Sequence, residues 1–302
     1  MKVILFILCL VFACGLKAQH TSLTTQYMFN NLVVNPAYTG AMNAFTCSAS
    51  HRSQWLGLDG APETQNFTLH SPLKNENIAL GLMFFRDAIG VTKQNGIYLS
   101  YAYRIKMNNS RLCFGLTGGA SFLKSSFNQV STVQANDPSF SGLSPTYILP
   151  NAGFGIYFYN RLFFTGLSLP FFMANKIIGN SSQVEYGYDN FNLHAQMGFY
   201  LKLGTDFTIK PSALLRVNMR KAPQADFNLI ALLWNKIGIG VSYRTEDAII
   251  FPVQFHVNDQ FMIGYSYDMT LSPLKNYQFG SHELMIRYCF LQTVNAVNPR
   301  LF

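Results

Sequence analysis

Apolar side chains recur at every second position over most of this chain. Between 191 and 203 they occupy Phe191, Leu193, Ala195, Met197, Phe199, Leu201 and Leu203, with Asn192, His194, Gln196, Tyr200 and Lys202 among the residues between them. A period of two sends alternate side chains to opposite faces of a β-strand, so the segment has one apolar and one mostly polar face. The alternation returns in Ile97, Leu99, Tyr101, Tyr103 and Ile105, in Leu112, Phe114, Leu116 and Phe122, and in Phe207, Ile209, Ala213, Leu215 and Val217. Such runs exceed most soluble strands and match a tilted membrane crossing of about 9–11 residues plus its rims. Lipid offers no partner to a free backbone edge, so strands facing it must close into a barrel.

Followed from 44 to 290, the pattern predicts fourteen strands, near 44–54, 63–71, 77–86, 96–106, 110–124, 146–159, 161–172, 190–204, 205–219, 224–234, 236–246, 248–257, 260–271 and 279–290. Short turn-rich joints at 106–110, 160–161, 204–205, 235–236 and 258–259 follow even-numbered strands, and the longest connections, 125–145 and 174–189, follow odd-numbered ones. Outer-membrane barrels have short periplasmic turns and longer outer loops, so this parity predicts both chain termini in the periplasm. Gly115, Gly118 and Gly119 sit inside a predicted strand, where glycine eases curvature. The fold expected is all-β: a transmembrane antiparallel β-barrel of about 14 strands. A soluble sandwich or propeller would show shorter strands and a charged face.

Ahead of the barrel, Met1-Lys2, the apolar run 3–13 and Leu16-Lys17-Ala18-Gln19 have the three regions of a secretory signal peptide. The rival is a lipoprotein box ending at Cys14, which bulky Phe12 disfavours. The expected organisation is a signal peptide at 1–18, a leader or plug at 19–43, the barrel at 44–290 and a tail at 291–302. No later stretch approaches about 18 consecutive apolar residues, as a spanning helix requires.

Composition sharpens the picture. Charged residues are 12% of the chain and aromatics 15%, against about 25% charged in ordinary soluble domains. Cys47, Cys113 and Cys289 remain after signal removal, an odd number at remote positions, which argues against a disulfide framework or zinc site. The formal charge of +8 falls to +6 without Lys2 and Lys17, and its basic residues are scattered, unlike a nucleic-acid footprint. A lumen or a rim facing lipopolysaccharide accounts for them.

Catalytic spellings dissolve on a strand. Ser281-His282-Glu283 resembles a triad, but neighbouring strand residues face opposite sides. His194 and His256 are expected in the lumen, and His51 and His70 in the first hairpin, without metal-ligand spacing. The glycines of 115–119 lie within a strand rather than a phosphate loop. No catalytic residue, cofactor or metal is expected; a lipid-modifying barrel enzyme using His194 and His256 is the weakest of three function classes.

Two segments escape the barrel pattern. The stretch QYMFNNLVVNPAYTG (26–40) is too short to span and too apolar for a solvated tail. It must be covered by the lumen or by a periplasmic partner. The loop RSQWLGLDGAPET (52–64) carries a large amphipathic anchor in Trp55, which a membrane-interface position would also explain. Tyr27, Phe29, Asn35, Pro36 and Tyr38 of the leader, with Arg52, Gln54, Trp55, Gly57 and Pro62 of the loop, are the expected partner-binding residues.

The order NPAYTG (35–40), HRSQWLGLDGAPETQNFTLHSPL (51–73) and GYSYDMTLSPLKNYQFGSHELMIRYCF (264–290) resembles the PorP/SprF family of outer-membrane proteins, linked to type IX secretion and gliding motility. The likeness runs from about 26 to 290, with specific motifs at both ends and strand pattern between. It implies an outer-membrane component or accessory of the machine that moves proteins with a C-terminal sorting domain to the surface of a Gram-negative cell. The partners it implies are the periplasmic ring and peptidoglycan-binding subunits, or one surface cargo protein that the barrel helps to export or anchor. A passive porin for small solutes is the alternative that the fold alone would explain.

Overall fold

The structure, a computed structural model, describes residues 24–126, 146–177, 184–187, 191–218 and 221–290. The expected signal peptide, the 291–302 tail and most of the 125–145 loop lie outside the described residues. Seventeen strands follow in order: β1 (Phe45–Ser53), β2 (Glu63–Pro72), β3 (Ile78–Ile89), β4 (Thr92–Lys106), β5 (Ser110–Ser125), β6 (Thr146–Asn160), β7 (Phe163–Leu169), β8 (Ala174–Ile177), β9 (Val184–Gly187), β10 (Asn192–Phe199), β11 (Leu201–Lys202), β12 (Phe207–Asn218), β13 (Lys221–Leu233), β14 (Ile237–Arg244), β15 (Ala248–His256), β16 (Phe261–Thr270) and β17 (Ser281–Phe290).

Fourteen of them form the barrel. Each pairs antiparallel with its neighbours, β1 closes on β17, and β10 closes the other gap against β12. The short β11 prolongs β10 along the same edge of β12 beyond Tyr200. All fourteen expected strands are present, within a few residues. β8 and β9 pair only with each other, a small hairpin inside what the alternation presents as one loop.

The apolar face of each strand points outward. Leu99 is 66% exposed while its neighbour Ser100 is buried. This is the lipid-out, lumen-in order of a membrane barrel. Connections 54–62, 126–145, 170–191 and 271–280 gather at one end, here the loop end. The turns at 73–77, 107–109, 161–162 and 257–260 gather at the other, the turn end, where β1 starts and β17 finishes. Tight joints also occur at the loop end, at 90–91 and 245–247, so the parity of loop lengths holds only for the longest connections.

The core is the lumen, and the leader fills it. Residues 24–44 fold as three 3-10 turns, Gln26–Met28, Asn31–Val33 and Pro36–Tyr38, with Tyr27, Phe29, Leu32, Val34, Ala37 and Met42 buried. Burial of a large apolar side chain contributes about 1.5–3 kcal/mol, which anchors so short and irregular a segment. Lumen-facing glycines make the room. A Cβ on Gly115 would lie 2.2 Å from the Ala37 nitrogen, and one on Gly155 would lie 2.2 Å from Asn35 Oδ1. Gly115 therefore serves close approach of the plug rather than curvature, whereas Gly118 has nothing within 4 Å.

The leader also has a direction. Thr24 and Thr25 bond to residues at the loop end, and Gly40 and Asn43 to residues at the turn end. Strand β1 does begin at the turn end, as parity predicts, but the described chain starts at the opposite mouth and threads the whole lumen first.

Candidate functional site

The plug is held at its start by a chain of alternating charges. Glu283 of β17, Arg52 of β1, Asp268 of β16, Arg244 of β14, Asp226 of β13 and Arg216 of β12 all turn inward near the loop end. Arg52 Nη2 lies 2.7 Å from Asp268 Oδ2 and its Nη1 lies 3.5 Å from Glu283 Oε2. Arg244 Nε lies 3.1 Å from Asp226 Oδ1, and Arg216 grips the same carboxylate at 3.0 and 2.9 Å. Three guanidinium groups thus meet three inward carboxylates, with the partly exposed Asp247 also 3.4 Å from Arg244 Nη1, so that each buried charge has an opposite partner.

Thr25 sits in the middle of this chain. Its hydroxyl donates to Asp268 Oδ2 (2.9 Å) and accepts from Arg52 Nη1 (2.9 Å), while its backbone nitrogen donates to Glu283 Oε2 (2.6 Å). Two residues on, the Tyr27 hydroxyl accepts from Asn228 Nδ2 at 2.8 Å, beneath the Arg216 guanidinium. Charge-assisted bonds of this kind are roughly twice as strong as neutral ones, so the cluster acts as a latch.

Further down, each turn of the leader finds its own partners. Asn30 Nδ2 donates to Thr68 Oγ1 (2.9 Å), and Ser168 Oγ donates to the Val34 carbonyl (2.6 Å). Asn35 caps the last 3-10 turn by accepting from the Ala37 nitrogen (2.9 Å) and donates to the Ile156 carbonyl (3.1 Å). Pro36 follows at a position where no amide donor is needed. Tyr38 packs edge-on against Tyr157 and His70, and the Gly40 nitrogen donates to His70 Nδ1 (3.1 Å). The signature NPAYTG is a shape that fits this wall.

The rim at the loop end is built by hydrogen bonds between loops. Gln54 N donates to the Pro62 carbonyl (2.9 Å), closing the 54–62 loop. Leu56 N then donates to Gly280 O (2.9 Å) and Phe279 N to Leu56 O (2.8 Å), which ties that loop to 271–280. Trp55 takes a left-handed conformation (φ 47°), and its nitrogen donates to Ser281 Oγ (3.1 Å). Gly57 (φ 98°) leaves space for the Phe279 ring, which a Cβ there would meet at 3.0 Å. Tyr277 and Phe279 stand 72% and 78% exposed on this rim.

A family model described as type IX secretion system membrane protein PorP/SprF matches residues 16–288. The chain belongs to this family. Among solved structures it is similar to the CymD monoaromatic hydrocarbon channel, with a TM-score of 0.54, 11% identity, and 91% of this chain and 95% of that one covered. A Pseudomonas aeruginosa FadL homologue gives 0.48 at 10% identity, covering 85% and 93%. Acinetobacter baumannii Omp33 gives 0.47 at 8%, covering 82% and 100%. Identities this low speak to fold alone. No curated protein sequence matches. This PorP/SprF protein is therefore an outer-membrane β-barrel of the type IX secretion system, and family and fold together favour a non-enzymatic secretion or transport role.

In this PorP/SprF barrel the expected partner-binding residues divide into two groups. Tyr27, Phe29, Asn35 and Pro36 are buried in the lumen, with Tyr38 half-buried among them. Arg52 and Gln54 are buried at the latch and loop base with Pro62, leaving Trp55 partly exposed and Gly57 exposed on the rim. Ser281 and Glu283 point inward while His282 faces out and bonds Tyr265 Oη at 2.7 Å, so the triad spelling is split across the wall as the alternation predicts. His256 and His70 are lumenal, and Cys113 and Cys289 are buried. The latch partners Arg216, Asp226, Arg244 and Asp268 carry no motif in the sequence, and Glu283 stands out there only within the triad spelling. Their signal was a charge at a lumen-parity position near a strand end, in a chain where charges are scarce.

Proposed function

We propose that this PorP/SprF protein works as a plugged scaffold that engages proteins at its loop-end rim and assists export or surface anchoring of a cargo with a C-terminal sorting domain. The observation carrying this reading is that the leader occupies the lumen end to end and is latched by six charged side chains, which leaves the rim as the surface available for work. Trp55, Tyr277 and Phe279 supply the aromatic anchors typical of interface centres, on loops already ordered by their mutual bonds. The leader contributes from within, because Arg52 belongs both to the strand that launches the 54–62 loop and to the plug latch. Periplasmic ring and peptidoglycan-binding subunits would meet the turn end.

The test is crosslinking in native cells, with identification of what co-purifies from wild type, Trp55→Ala and Phe279→Ala. Secretion components or a sorting-domain protein should be recovered with wild type and be depleted in the rim variants while the barrel stays heat-modifiable. Recovery of neither from wild type would overturn the proposal. Steady single-channel conductance of the wild-type barrel would favour the porin alternative instead.

A further inference from the structure

The cations on the outer wall are gathered on one side of the barrel. Through the middle of the wall the outward positions of β3, β4 and β5 are apolar, with Leu80, Phe84, Ile97, Leu99, Leu116 and Phe122 exposed. At the loop end each of these three strands then turns one exposed cation outward, Arg86 on β3, Lys93 on β4 and Lys124 on β5. No other barrel strand turns a Lys or Arg outward at that end among the described side chains. Arg52, Arg216 and Arg244 point inward, to the latch.

Strand register sets the three charges side by side. Lys93 stands directly opposite Lys124, Arg86 stands opposite Asn95, and Lys93 is therefore the diagonal neighbour of Arg86. Directly opposed side chains on one face of a sheet have Cβ atoms about 4.5–5.5 Å apart and diagonal ones about 7–8 Å, and like charges so placed destabilise the pair. The inward face holds these strands together. Gln94 Nε2 donates to Ser121 Oγ (2.8 Å), and the Thr92 and Ser125 hydroxyls bond at 3.0 Å. Glu63 lies on the same outward face, opposite Ala88, but forms no ion pair with any of the three cations, and Asp87 faces inward to accept from Thr64 Oγ1 (2.6 Å). Among the described residues the patch has no counter-charge.

Next to it, toward the middle of the membrane, the wall is hollowed. A groove of about 680 Å³ is lined by the exposed Phe67, Phe84, Leu284 and Ile286, with Ala49 between them and Arg86 at its loop-end side. Ala49 is the cross-strand partner of both Phe67 and Ile286, so one methyl group stands where its neighbours project a ring and a branched chain. The volume falls within the roughly 300–1,000 Å³ of small-molecule sites. Arg86 belongs to both features, which makes the groove and the cations one continuous surface.

We propose that this side of the barrel binds a phosphorylated lipid of the outer leaflet, of the lipopolysaccharide type, with its phosphates on Arg86, Lys93 and Lys124 and an acyl chain along the groove beside Phe67 and Phe84. Adjacent cations without a counter-charge complement a multiply phosphorylated head group, and basic residues at a membrane surface attract anionic lipid. The long loops mark this end as the outer one, and the groove opens where a head group at that depth would release its chains. The site lies on the lipid-facing wall and rests on neither the plug nor the proposed role of the rim.

The test titrates the full-length barrel in detergent micelles, by calorimetry, with lipid A carrying two phosphates, the same lipid dephosphorylated, and phosphatidylglycerol. Wild type should bind the diphosphorylated lipid at least tenfold more tightly than either of the others. Lys93→Gln with Lys124→Gln should weaken that binding at least tenfold, whereas Lys202→Gln with Lys236→Gln, which removes two exposed cations at the turn end, should leave it unchanged. Ala49→Phe fills the groove without altering charge and should also weaken binding. Heat-modifiability on gels verifies that each variant is folded, and Arg86→Gln carries the charge test if the double lysine variant assembles poorly. Equal binding of diphosphorylated and dephosphorylated lipid A, equal binding of phosphatidylglycerol, or undiminished binding in both the charge and the groove variants overturns the proposal.

Discussion

Replacing Arg52 by methionine tests whether the latch holds the plug. The guanidinium is 2% exposed, bonds Asp268 at 2.7 Å, Glu283 at 3.5 Å and Thr25 at 2.9 Å, and links the leader to two strands at once. Methionine keeps most of the apolar volume and strands two buried carboxylates. Removing one partner of a buried pair costs about 3–5 kcal/mol. Asp268 retains Arg244 at 3.6 Å, so the lower end applies, about 3 kcal/mol. If that loss falls on plug seating, the unseated population rises roughly a hundredfold. Planar-bilayer recordings should then show frequent openings in Arg52→Met where wild type is nearly silent, and denaturant unfolding should show the lost stability. Glu283→Gln removes one stranded charge, so the double variant should cost less than the two single changes added, by roughly 0.5–3 kcal/mol of coupling. Additive effects, or a silent Arg52→Met channel beside a conducting variant lacking 24–43, would refute the latch.

Four further outcomes are expected. Gly115→Val should displace the plug and lower the unfolding midpoint, since its Cβ would start 2.2 Å from the Ala37 nitrogen, whereas Gly118→Ala should be nearly neutral; the comparison is by denaturant titration. Leu215→Arg or Phe199→Arg on the lipid face should cost about 2–4 kcal/mol near the membrane midplane. Gln196→Arg, which an open lumen would tolerate, should also be costly because Gln196 is 6% exposed and lines the same cavity as the plug residues Tyr27, Met28 and Phe29, and equal unfolding midpoints for it and wild type would contradict a filled lumen. Epitope tags within 125–145 and 174–189 should be labelled on intact cells, and tags at Lys236 or Asn258 should not; the reverse pattern would invert the barrel.

The barrel was legible because one physical constraint writes itself into every strand. Lipid on one side and a polar wall on the other force a period of two, and strands such as β4 and β5, with 15 and 16 residues, repeat it long enough to be unmistakable. The β8–β9 hairpin left no such trace, since two four-residue strands outside the barrel have no lipid face to alternate against. Glycine was the ambiguous letter. Gly115 and Gly118 read alike in sequence, yet one lies under the plug backbone and the other faces open space. Only the position of a segment some eighty residues earlier in the chain tells them apart.

The candidate site was half legible for a related reason. The leader announces that it must be covered, because Tyr27, Phe29, Leu32 and Val34 cannot remain in water, but nothing in its composition says which way it runs. Direction is set by where its polar atoms find partners. Thr24 and Thr25 pair with carboxylates at one mouth, and Asn43 with Arg104 at the other, a choice made by residues some 60 to 260 positions away. Charge balance along the barrel axis is equally invisible in a net charge. A surplus of cations reads as scattered when counted along the chain, and becomes segregated only when strand direction carries Lys210 of β12 and Arg287 of β17 toward the turn end while every lumenal carboxylate described collects at the loop end. That separation is what gives the leader its direction, because the hydroxyl and backbone donors of Thr24 and Thr25 find carboxylates at one mouth, while the Asn43 carbonyl finds the Arg104 guanidinium at the other.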